Sequence, residues 1–289
     1  MDADHRPEPV HPEPTVHDEL PEPTVHDEHP EPTVQDGPTV QVERHDAVLL
    51  IRLHRPRVHN ALDPATLARL VAAVEQACAD PGVGALVLTG GPKAFTTGED
   101  LTGALDLDED RFKAQIGDFQ RLATLLRQAP KPVVAAVGGF AYGGGLEIAV
   151  DCDARIAADN ARFACPEVRW SLTITNGSSV LLRELVGEGW ARELVLFGAV
   201  LDAEQALRVG LVTRVVPVEE LEREALAMAA TAAQGASEAV RLSKQLLNAG
   251  PRSWQQTLDA ETEAVLAAFA RPEARERLAA FARRRGAGQ

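Results

Sequence analysis

The sequence predicts an α/β fold in which helices cross over between buried strands. GALVLTG (84–90) and KPVVAAVGG (131–139) contain short apolar runs next to glycines, which is typical of buried strands. A helical pattern over about 109–128 separates them, and another helical segment follows at 144–151. Strand, helix, strand and helix in this order are typical of an α/β domain with crossover connections.

The residues before these elements predict two strands and a helix. TVQVERHDAVLLIRLHR (39–55) alternates well enough for two short strands around a turn at His45–Asp46. In the next segment Asp63 is placed to cap a helix, and Pro64 occupies its first position. The predicted helix has an apolar stripe of Leu67, Leu70, Val71 and Val74.

The chain beyond about Ala203 is nearly all helical in pattern. We expect helices at 203–209, 218–234, 237–248, 253–268 and 272–284. The predicted organisation is therefore an α/β core over 39–200 and a helical C-terminal region over 201–289, which packs on the core or on another subunit.

The first 38 residues carry a nine-residue repeat, PEPTVHDEL, PEPTVHDEH and PEPTVQD. Each unit has two prolines and few apolar residues, so we expect residues 1–38 to be a disordered acidic tail. This tail holds eleven acidic residues and one arginine, and therefore most of the net charge of −14. Its histidines have no compact ligand spacing, which favours a solvated tail over a metal site.

Composition narrows the classes of function. Beyond the tail the chain holds 32 acidic and 28 basic residues, a net of −4, which argues against nucleic acid as a partner because phosphate binding needs clustered Lys and Arg. No apolar run reaches the roughly eighteen residues needed to cross a bilayer, and the acidic N-terminus is unlike a secretory signal. Three cysteines do not make a disulfide framework, so we expect a soluble protein in the reducing cytoplasm.

Two glycine-rich loops follow the two predicted strands. VLTGGPKAFTTGEDL (87–101) leaves the first, and VAAVGGFAYGGGLEIAV (134–150) contains the second and enters a helix. Glycine lets backbone N–H groups approach a ligand, and a helix N-terminus adds free donors. Two such loops aimed at one point would form an oxyanion hole. Either loop alone is equally explained by tight turns and close helix packing.

Two glutamates stand close to these glycines in sequence. Leu146, Ile148, Ala149 and Val150 surround Glu147, and a carboxylate in so apolar a helix is unfavourable unless it is paired or used. Glu167 follows twenty residues later. Mutual repulsion and desolvation would raise the pKa of at least one of them, as general acid–base chemistry requires. Cys152 and Cys165 flank these acids, and we expect them to pack as small hydrophobic residues.

These segments together resemble the crotonase superfamily, the enoyl-CoA hydratase/isomerase fold, over about residues 40–285. HRPRVHNAL (54–62) resembles the first CoA-binding stretch, AFTTGEDL (94–101) the first oxyanion loop and GGGLEIAVDCDARIA (143–157) the second. ARFACPEV (161–168) matches the segment of the second glutamate, and LDAEQALRVGLVTRVVP (201–217) a late helix–turn–strand. The resemblance implies the crotonase (ClpP/crotonase-like) fold of repeated ββα units in a superhelix, with a helical C-terminal trimerisation region.

The resemblance also implies the roles of four residues. Glu147 and Glu167 would be the catalytic pair, and the backbone N–H groups of Glu99 and Gly144 would form the oxyanion hole for the thioester carbonyl. In the implied hydratase mechanism the carboxylates hold one water, whose oxygen adds to C3 of a 2-enoyl-CoA while C2 receives a proton. No metal or separate cofactor is implied, since coenzyme A enters as part of the substrate. The implied assembly is a homotrimer or a dimer of trimers.

Further residues are implied to contact the substrate. We expect Asp100 to hydrogen-bond loop backbone, Tyr142 to pack beside the glycines, and Arg57 to meet a CoA phosphate. Phe281 and Arg284 would cap the CoA of their own or a neighbouring subunit. The full set is Arg57, Val58, Ala61, Thr97, Gly98, Asp100, Leu101, Tyr142, Gly143, Trp170, Thr173, Phe281 and Arg284.

The sequence departs from the family pattern in two places. RWSLTITNGSSVLL (169–182), which should line the acyl pocket, has one glycine and several Ser, Thr and Asn residues where typical hydratases are glycine-rich. Glu99 stands where a small residue is usual, so its side chain either adds a charge near the carbonyl or points to solvent. The polar segment indicates an unusual or polar acyl group, and both departures bear on the identity of the substrate more than on the type of reaction.

Three alternatives to hydration (or the reverse dehydration) remain open on this evidence. The same two carboxylates can shift a double bond as an isomerase does. Hydrolysis or decarboxylation of an acyl-CoA can run on the same scaffold. A non-catalytic subunit could use the repeat tail for docking, although the presence of both glutamates argues against it.

Overall fold

The computed structural model describes residues 37–104, 107–235 and 237–286. Nearly all of the predicted tail, residues 1–38, lies outside this range. Short runs of strands alternate with helices up to residue 216, and only helices follow. The elements are numbered in the order in which they occur along the chain. The strands are β1 (Val40–His45), β2 (Val48–Leu53), β3 (Ala85–Thr89), β4 (Ala94–Thr96), β5 (Val133–Val137), β6 (Phe140–Tyr142), β7 (Ala154–Ala158), β8 (Arg162–Ala164), β9 (Val200–Asp202) and β10 (Arg214–Val216). The α-helices are α1 (Pro64–Ala79), α2 (Leu101–Ala104), α3 (Glu109–Gln128), α4 (Gly144–Asp151), α5 (Ser178–Phe197), α6 (Ala203–Arg208), α7 (Leu221–Ala233), α8 (Ser237–Leu247), α9 (Trp254–Phe269) and α10 (Pro272–Gly286).

The strands form two sheets. The larger has the order β1-β2-β3-β5-β7-β10, and the smaller has the order β4-β6-β8-β9. Only the β1–β2 and β8–β9 pairs are antiparallel, and the other pairs in both sheets are parallel. The predicted hairpin is confirmed, with the turn residue Asp46 at a φ of 53°.

A repeating unit connects the two sheets. Each of β3, β5 and β7 leaves the larger sheet and continues directly into β4, β6 or β8 of the smaller sheet, and a helix follows. The predicted ββα repeat is therefore confirmed. Because β4 and β6 are parallel neighbours, the loops after them emerge at the same edge of the smaller sheet, which brings the two glycine-rich loops together.

The inner strands of the larger sheet are buried on both faces. In β2, Leu49, Ile51 and Leu53 belong to the main core with α1 and α3, whereas Val48 and Leu50 face α7. Such a strand reads as a continuous apolar run instead of an alternating one, which is typical of parallel sheets covered by helices. On α1, the Asp63 carboxylate caps the helix by accepting from the Thr66 amide at 2.7 Å, as predicted.

The helices of the C-terminal region have different environments. α7 packs on the larger sheet, and α8 is anchored by Lys244, whose buried ammonium donates to the Asp153 carboxylate at 2.7 Å. The late helix–turn–strand is confirmed as α6 followed by β10, which pairs with β7. By contrast, α5 was not predicted, because Gly187 interrupts its helical geometry and its two halves present no common apolar face. None of the helices in the described ranges is long and apolar enough to span a membrane.

Candidate active site

A cavity of about 470 Å³ lies between the two glycine loops, α3 and the segment that follows Glu167. Its apolar wall includes Phe112, Ile116 and Phe119 from α3, at the i, i+4, i+7 spacing that places side chains on one helix face. Glu99, Glu147 and Glu167 also line it. Three carboxyl groups that line one cavity make it the candidate active site.

The two glycine loops meet at Gly98 and Gly144. Gly98 has a φ of +82°, and a Cβ at this position would lie 2.7 Å from the Gly144 amide nitrogen. A Cβ at Gly144 would in turn lie 3.5 Å from the Gly98 Cα and 3.8 Å from the Glu99 amide nitrogen. Within the described residues, neither the Glu99 nor the Gly144 amide has an acceptor from the chain. Two free N–H donors therefore stand side by side, as an oxyanion hole requires.

A network around Arg55 holds the first loop in position. The Leu62 amide donates to the Gly98 carbonyl at 2.7 Å, and the Asp100 amide donates to the Leu62 carbonyl at 3.1 Å. The Arg55 guanidinium donates to the Asp100 carboxylate at 3.1 Å. The expectation that Asp100 binds loop backbone is therefore wrong for its side chain, which accepts from Arg55 and from the Thr102 hydroxyl.

Glu147 is almost fully buried on α4, with 3 % of its surface exposed. Its Oε1 accepts from the Thr175 amide at 2.6 Å, and its Oε2 accepts from the Thr175 hydroxyl at 3.0 Å and the Asn176 side-chain amide at 2.7 Å. Burial raises the pKa of this carboxyl, while the three hydrogen bonds act to lower it. The Ser178 hydroxyl is buried beside the carboxyl group and also acts to lower the pKa of Glu147.

Glu167 begins a short 3-10 helix, Glu167–Trp170, and has the opposite environment. Neither of its carboxyl oxygens has a hydrogen-bond partner among the described residues. Burial raises the pKa of Glu167 to about 7, and the negative charge of Glu147 contributes in the same direction. One acid of the pair is thus held by donors that favour its charged form, and the other titrates near neutrality.

The Glu99 side chain does not point to solvent. It lines the cavity, and its Oε1 is buried without a partner. Burial and the neighbouring Asp100 raise the pKa of this carboxyl. Of the two orientations left open by the sequence, the structure therefore shows the one in which the side chain contributes to the site.

The model of the family described as enoyl-CoA hydratase/isomerase matches residues 43–288. The chain belongs to the enoyl-CoA hydratase/isomerase family. A probable enoyl-CoA hydratase of Mycobacterium bovis is 38% identical over 249 residues, which are 86% of this chain and 96% of that protein. A short-chain-enoyl-CoA hydratase of Clostridium acetobutylicum is 38% identical over 252 residues, covering 85% of this chain and 95% of the relative.

A solved structure agrees with the sequence relatives. The enoyl-CoA hydratase from Bacillus anthracis superposes with a TM-score of 0.82 at 32% identity, over 86% of this chain and 97% of that one. The crotonase fold that the sequence motifs imply is therefore confirmed.

Not every residue that the family resemblance implies as a substrate contact lines this cavity. Thr97, Leu101, Tyr142, Gly143, Trp170 and Thr173 do so. Tyr142 also packs against Phe140, with ring centroids 5.2 Å apart, as its expected packing role requires. Gly98 lies directly beside the cavity through its approach to Gly144.

The remaining implied contacts lie elsewhere. Arg57 and Val58 are exposed in a short 3-10 helix, Pro56–Val58, and Ala61 is buried behind it. Phe281 lies on α10 with 60 % of its surface exposed, away from the cavity lining. The side chain of Arg284 lies outside the described residues. Contacts of Arg57, Phe281 and Arg284 with coenzyme A stay predictions.

Several residues of the site were missed by the sequence analysis. The α3 residues Phe112, Ile116 and Phe119 carried a signal, since their spacing marks one face of a predicted helix. Thr175 and Asn176 were noticed only as part of a polar segment. Their contact with Glu147 joins residues 28 and 29 positions apart, and no local pattern reports such a pairing.

The described part of the chain adds neither a reactive cysteine near the two acids nor a cluster of metal ligands. Cys152 and Cys165 are buried, and burial raises the pKa of both thiols, which keeps them protonated. We found no cluster of three His, Cys, Asp or Glu side chains there that could hold a metal ion.

Proposed function

We propose that this chain hydrates 2-enoyl-CoA thioesters to 3-hydroxyacyl-CoA and catalyses the reverse dehydration. The observation that carries the proposal is the placement of Glu147 and Glu167 in one cavity beside the free amides of Glu99 and Gly144. Relatives that share 38% of their residues with this chain bear the name enoyl-CoA hydratase, which supports the same chemistry.

The proposal gives each group one step. The thioester oxygen accepts from the amides of Glu99 and Gly144, which stabilises the enolate as negative charge moves onto it. Glu147, the hydrogen-bonded carboxylate, takes a proton from the water whose oxygen bonds to C3. Glu167, whose pKa is about 7, delivers a proton to C2. The C2–C3 π bond, one O–H bond of water and the O–H bond of Glu167 break, while the C3–O, C2–H and Glu147 O–H bonds form. Atoms and charge balance, and return of the proton from Glu147 to Glu167 through solvent restores the starting state.

A single experiment separates this activity from its rivals. Crotonyl-CoA is incubated with the enzyme, the absorbance of the conjugated thioester is followed, and the product is analysed by mass spectrometry. Hydration predicts loss of absorbance and a product heavier by one water. An isomer of unchanged mass or free CoA thiol would instead indicate isomerisation or hydrolysis. CO2 from a parallel incubation with malonyl-CoA, which has the carboxylate that crotonyl-CoA lacks, would indicate decarboxylation. A chain in which both glutamates are changed to glutamine is the matched control.

The proposal includes the setting of the reaction. Coenzyme A enters as the carrier of the acyl group, and no separate cofactor is needed for this chemistry. We place the enzyme in the cytoplasm, in keeping with its few cysteines. The polar segment after Glu167 supports an acyl group that carries a polar substituent, and a screen of enoyl-CoA thioesters tests that expectation.

We also propose that the enzyme is a homotrimer or a hexamer made of two trimers. The support is the exposed apolar surface of the C-terminal helices, since no residue of α9 is buried within the described chain. Trp254 is 77 % exposed and Phe269 is 52 % exposed. An amphipathic helix of this kind normally covers its apolar side against a partner. Light scattering after gel filtration measures the mass, and a monomer would contradict the proposal.

A further inference from the structure

The carboxylate of Glu147 is held by two consecutive residues, Thr175 and Asn176. Thr175 binds both oxygens, through its amide at 2.6 Å and its hydroxyl at 3.0 Å. Asn176 adds a third donor at 2.7 Å. We refer to these two residues as the Glu147 clamp.

The clamp leaves only part of the carboxylate available for a ligand. A carboxylate offers about two acceptor positions on each oxygen. On Oε2 both are taken, by the Thr175 hydroxyl and the Asn176 amide. On Oε1 one is taken, by the Thr175 amide. At most one acceptor position, on Oε1, is left to receive a proton from water, because the Ser178 hydroxyl also acts on this carboxylate.

The side chain of Asn176 is oriented so that its amide nitrogen, and not its amide oxygen, faces Glu147. Asn176 is 7 % exposed, and its Oδ1 is buried without a partner among the described residues. Rotating the amide by half a turn would place this oxygen against the Glu147 carboxylate, where two acceptors repel each other. The amide nitrogen of Asn176 therefore binds Glu147 even though its Oδ1 has no partner among the described residues. Asn176 adopts a φ of 54°, a conformation that asparagine tolerates better than most residues.

The other titratable groups that face Glu147 do not supply positive charge. They are Glu167 in the cavity, Asp151 on the same helix and Cys165 after β8. Burial raises the pKa of all three, so each tends towards its neutral form. The clamp is thus the feature that favours the charged form of Glu147 over that of Glu167.

We propose that Thr175 and Asn176 are positioning residues that make Glu147 the base of the pair and fix the orientation of its carboxylate towards the reacting water. The inference rests on the proposed hydration, and it assigns the polar segment after Glu167 a role in catalysis as well as in shaping the pocket. Without the clamp the two acids would have more similar proton affinities, and the division of labour between them would weaken.

The test uses four variants of the clamp with crotonyl-CoA. Thr175→Val keeps the shape and the backbone donor but removes the hydroxyl, and Thr175→Ser restores it. Asn176→Gly removes the side-chain amide, and glycine accepts the backbone conformation at this position. Asn176→Asp replaces the donor nitrogen by an acceptor oxygen. Ser179→Ala, exposed in the same segment, is the matched control. Melting temperatures and circular dichroism report whether each variant folds.

We expect Thr175→Val and Asn176→Gly to lower kcat by about tenfold, because each removes one charge-assisted hydrogen bond, while KM changes little. The acid limb of the kcat profile should move upward by about one pH unit, since Glu147 binds its proton more tightly. Asn176→Asp should have the largest effect, and Thr175→Ser should restore the wild-type profile.

If Thr175→Val and Asn176→Gly fold but the acid limb of their kcat profiles does not move, the inference is overturned, whether or not kcat falls. So would a Thr175→Ser variant as slow as Thr175→Val. If one variant does not fold, the other still decides the outcome. A wild-type enzyme that does not hydrate crotonyl-CoA at any pH is a separate result, because it contradicts the proposed function and not the clamp alone.

Discussion

Gly98 and Gly144 lie so close together that a methyl group added to Gly98 would be 2.7 Å from the Gly144 amide nitrogen. This distance is shorter than any real Cβ contact, and the atom concerned is backbone, so neither loop could keep its place. Because Gly144 also begins α4, the same contact aligns the helix N-terminus with the amide of Glu99. The two donors of the candidate oxyanion hole are adjacent because both glycines lack a side chain.

Gly98→Ala should therefore lower kcat by about a hundredfold, the usual effect of losing an oxyanion-hole donor. The φ of +82° at Gly98 adds strain to the variant. Gly117→Ala is the matched control, because a Cβ there meets no atom within 4 Å. Stopped-flow or steady-state assays with crotonyl-CoA measure the difference. Near-normal turnover in Gly98→Ala would argue against a role for these amides.

Glu147→Gln and Glu167→Gln should each slow hydration at least about a hundredfold, since each removes one partner in proton transfer. Both substitutions preserve shape, so the melting temperature reports whether the fold survives. Glu184→Gln, on the exposed side of α5, should behave like the wild type. If either active-site variant kept near-normal turnover, the role assigned to that glutamate would be wrong.

The activity of the wild type should decrease as the pH rises through about 7. Burial raises the pKa of Glu167 to about 7, so this acid is protonated below that pH and loses its proton above it. Because hydration requires Glu167 to donate a proton to C2, kcat/KM should fall on the alkaline side. A pH profile with crotonyl-CoA measures this limb. In Glu167→Gln the residual activity should lack it, and a variant that retained the limb would assign it to another group.

Asp151 should destabilise the folded protein as the pH rises. It is 3 % exposed, and neither carboxyl oxygen has a partner in the described structure. Burial raises its pKa from 3.8 to about 8, and the positive charges of Arg127 and Arg155 only partly oppose this shift. The unfolded chain ionises Asp151 above about pH 4, while the folded chain keeps it neutral until about pH 8. Stability is therefore lost across that window.

Asp151→Asn removes this ionisation and should stabilise the protein more at pH 8 than at pH 5, by roughly 2–4 kcal/mol. Chemical denaturation at both pH values measures the difference between variant and wild type. Asp118→Asn, on the partly exposed side of α3, is the control and should show no such pH dependence. Equal effects of Asp151→Asn at the two pH values would mean that the native carboxyl ionises normally.

Removal of residues 1–38 should leave hydration of crotonyl-CoA within about twofold of the full chain. The repeat is acidic and proline-rich and has too few apolar residues to form a core, so we expect no contribution to the site. Steady-state kinetics of both chains, purified in parallel, test this expectation. A large loss of activity on truncation would assign the repeat a direct role.

Local signals predicted much of the fold and part of the site. The Asp63 cap, the helix over 109–128 and the strands around 85–89 and 133–137 follow from capping, periodicity and apolar runs, which act over a few residues. Glu147 was found because a charged residue in an apolar helix is conspicuous in the sequence alone, and Glu167 because ARFACPEV (161–168) resembles the family segment that carries the second glutamate. By contrast, α5 was missed because Gly187 breaks its periodic pattern.

The sequence by itself determined the order of elements, the two glycine loops and the two acids. Only the tertiary structure decided how the acids differ, because hydrogen bonds to Glu147 come from residues 28 and 29 positions further along the chain. It likewise decided that Asp100 binds Arg55 and that Glu99 lines the cavity. The physical reason is that burial and hydrogen bonding, which set the pKa of a carboxyl group, depend on neighbours in space that sequence spacing does not specify.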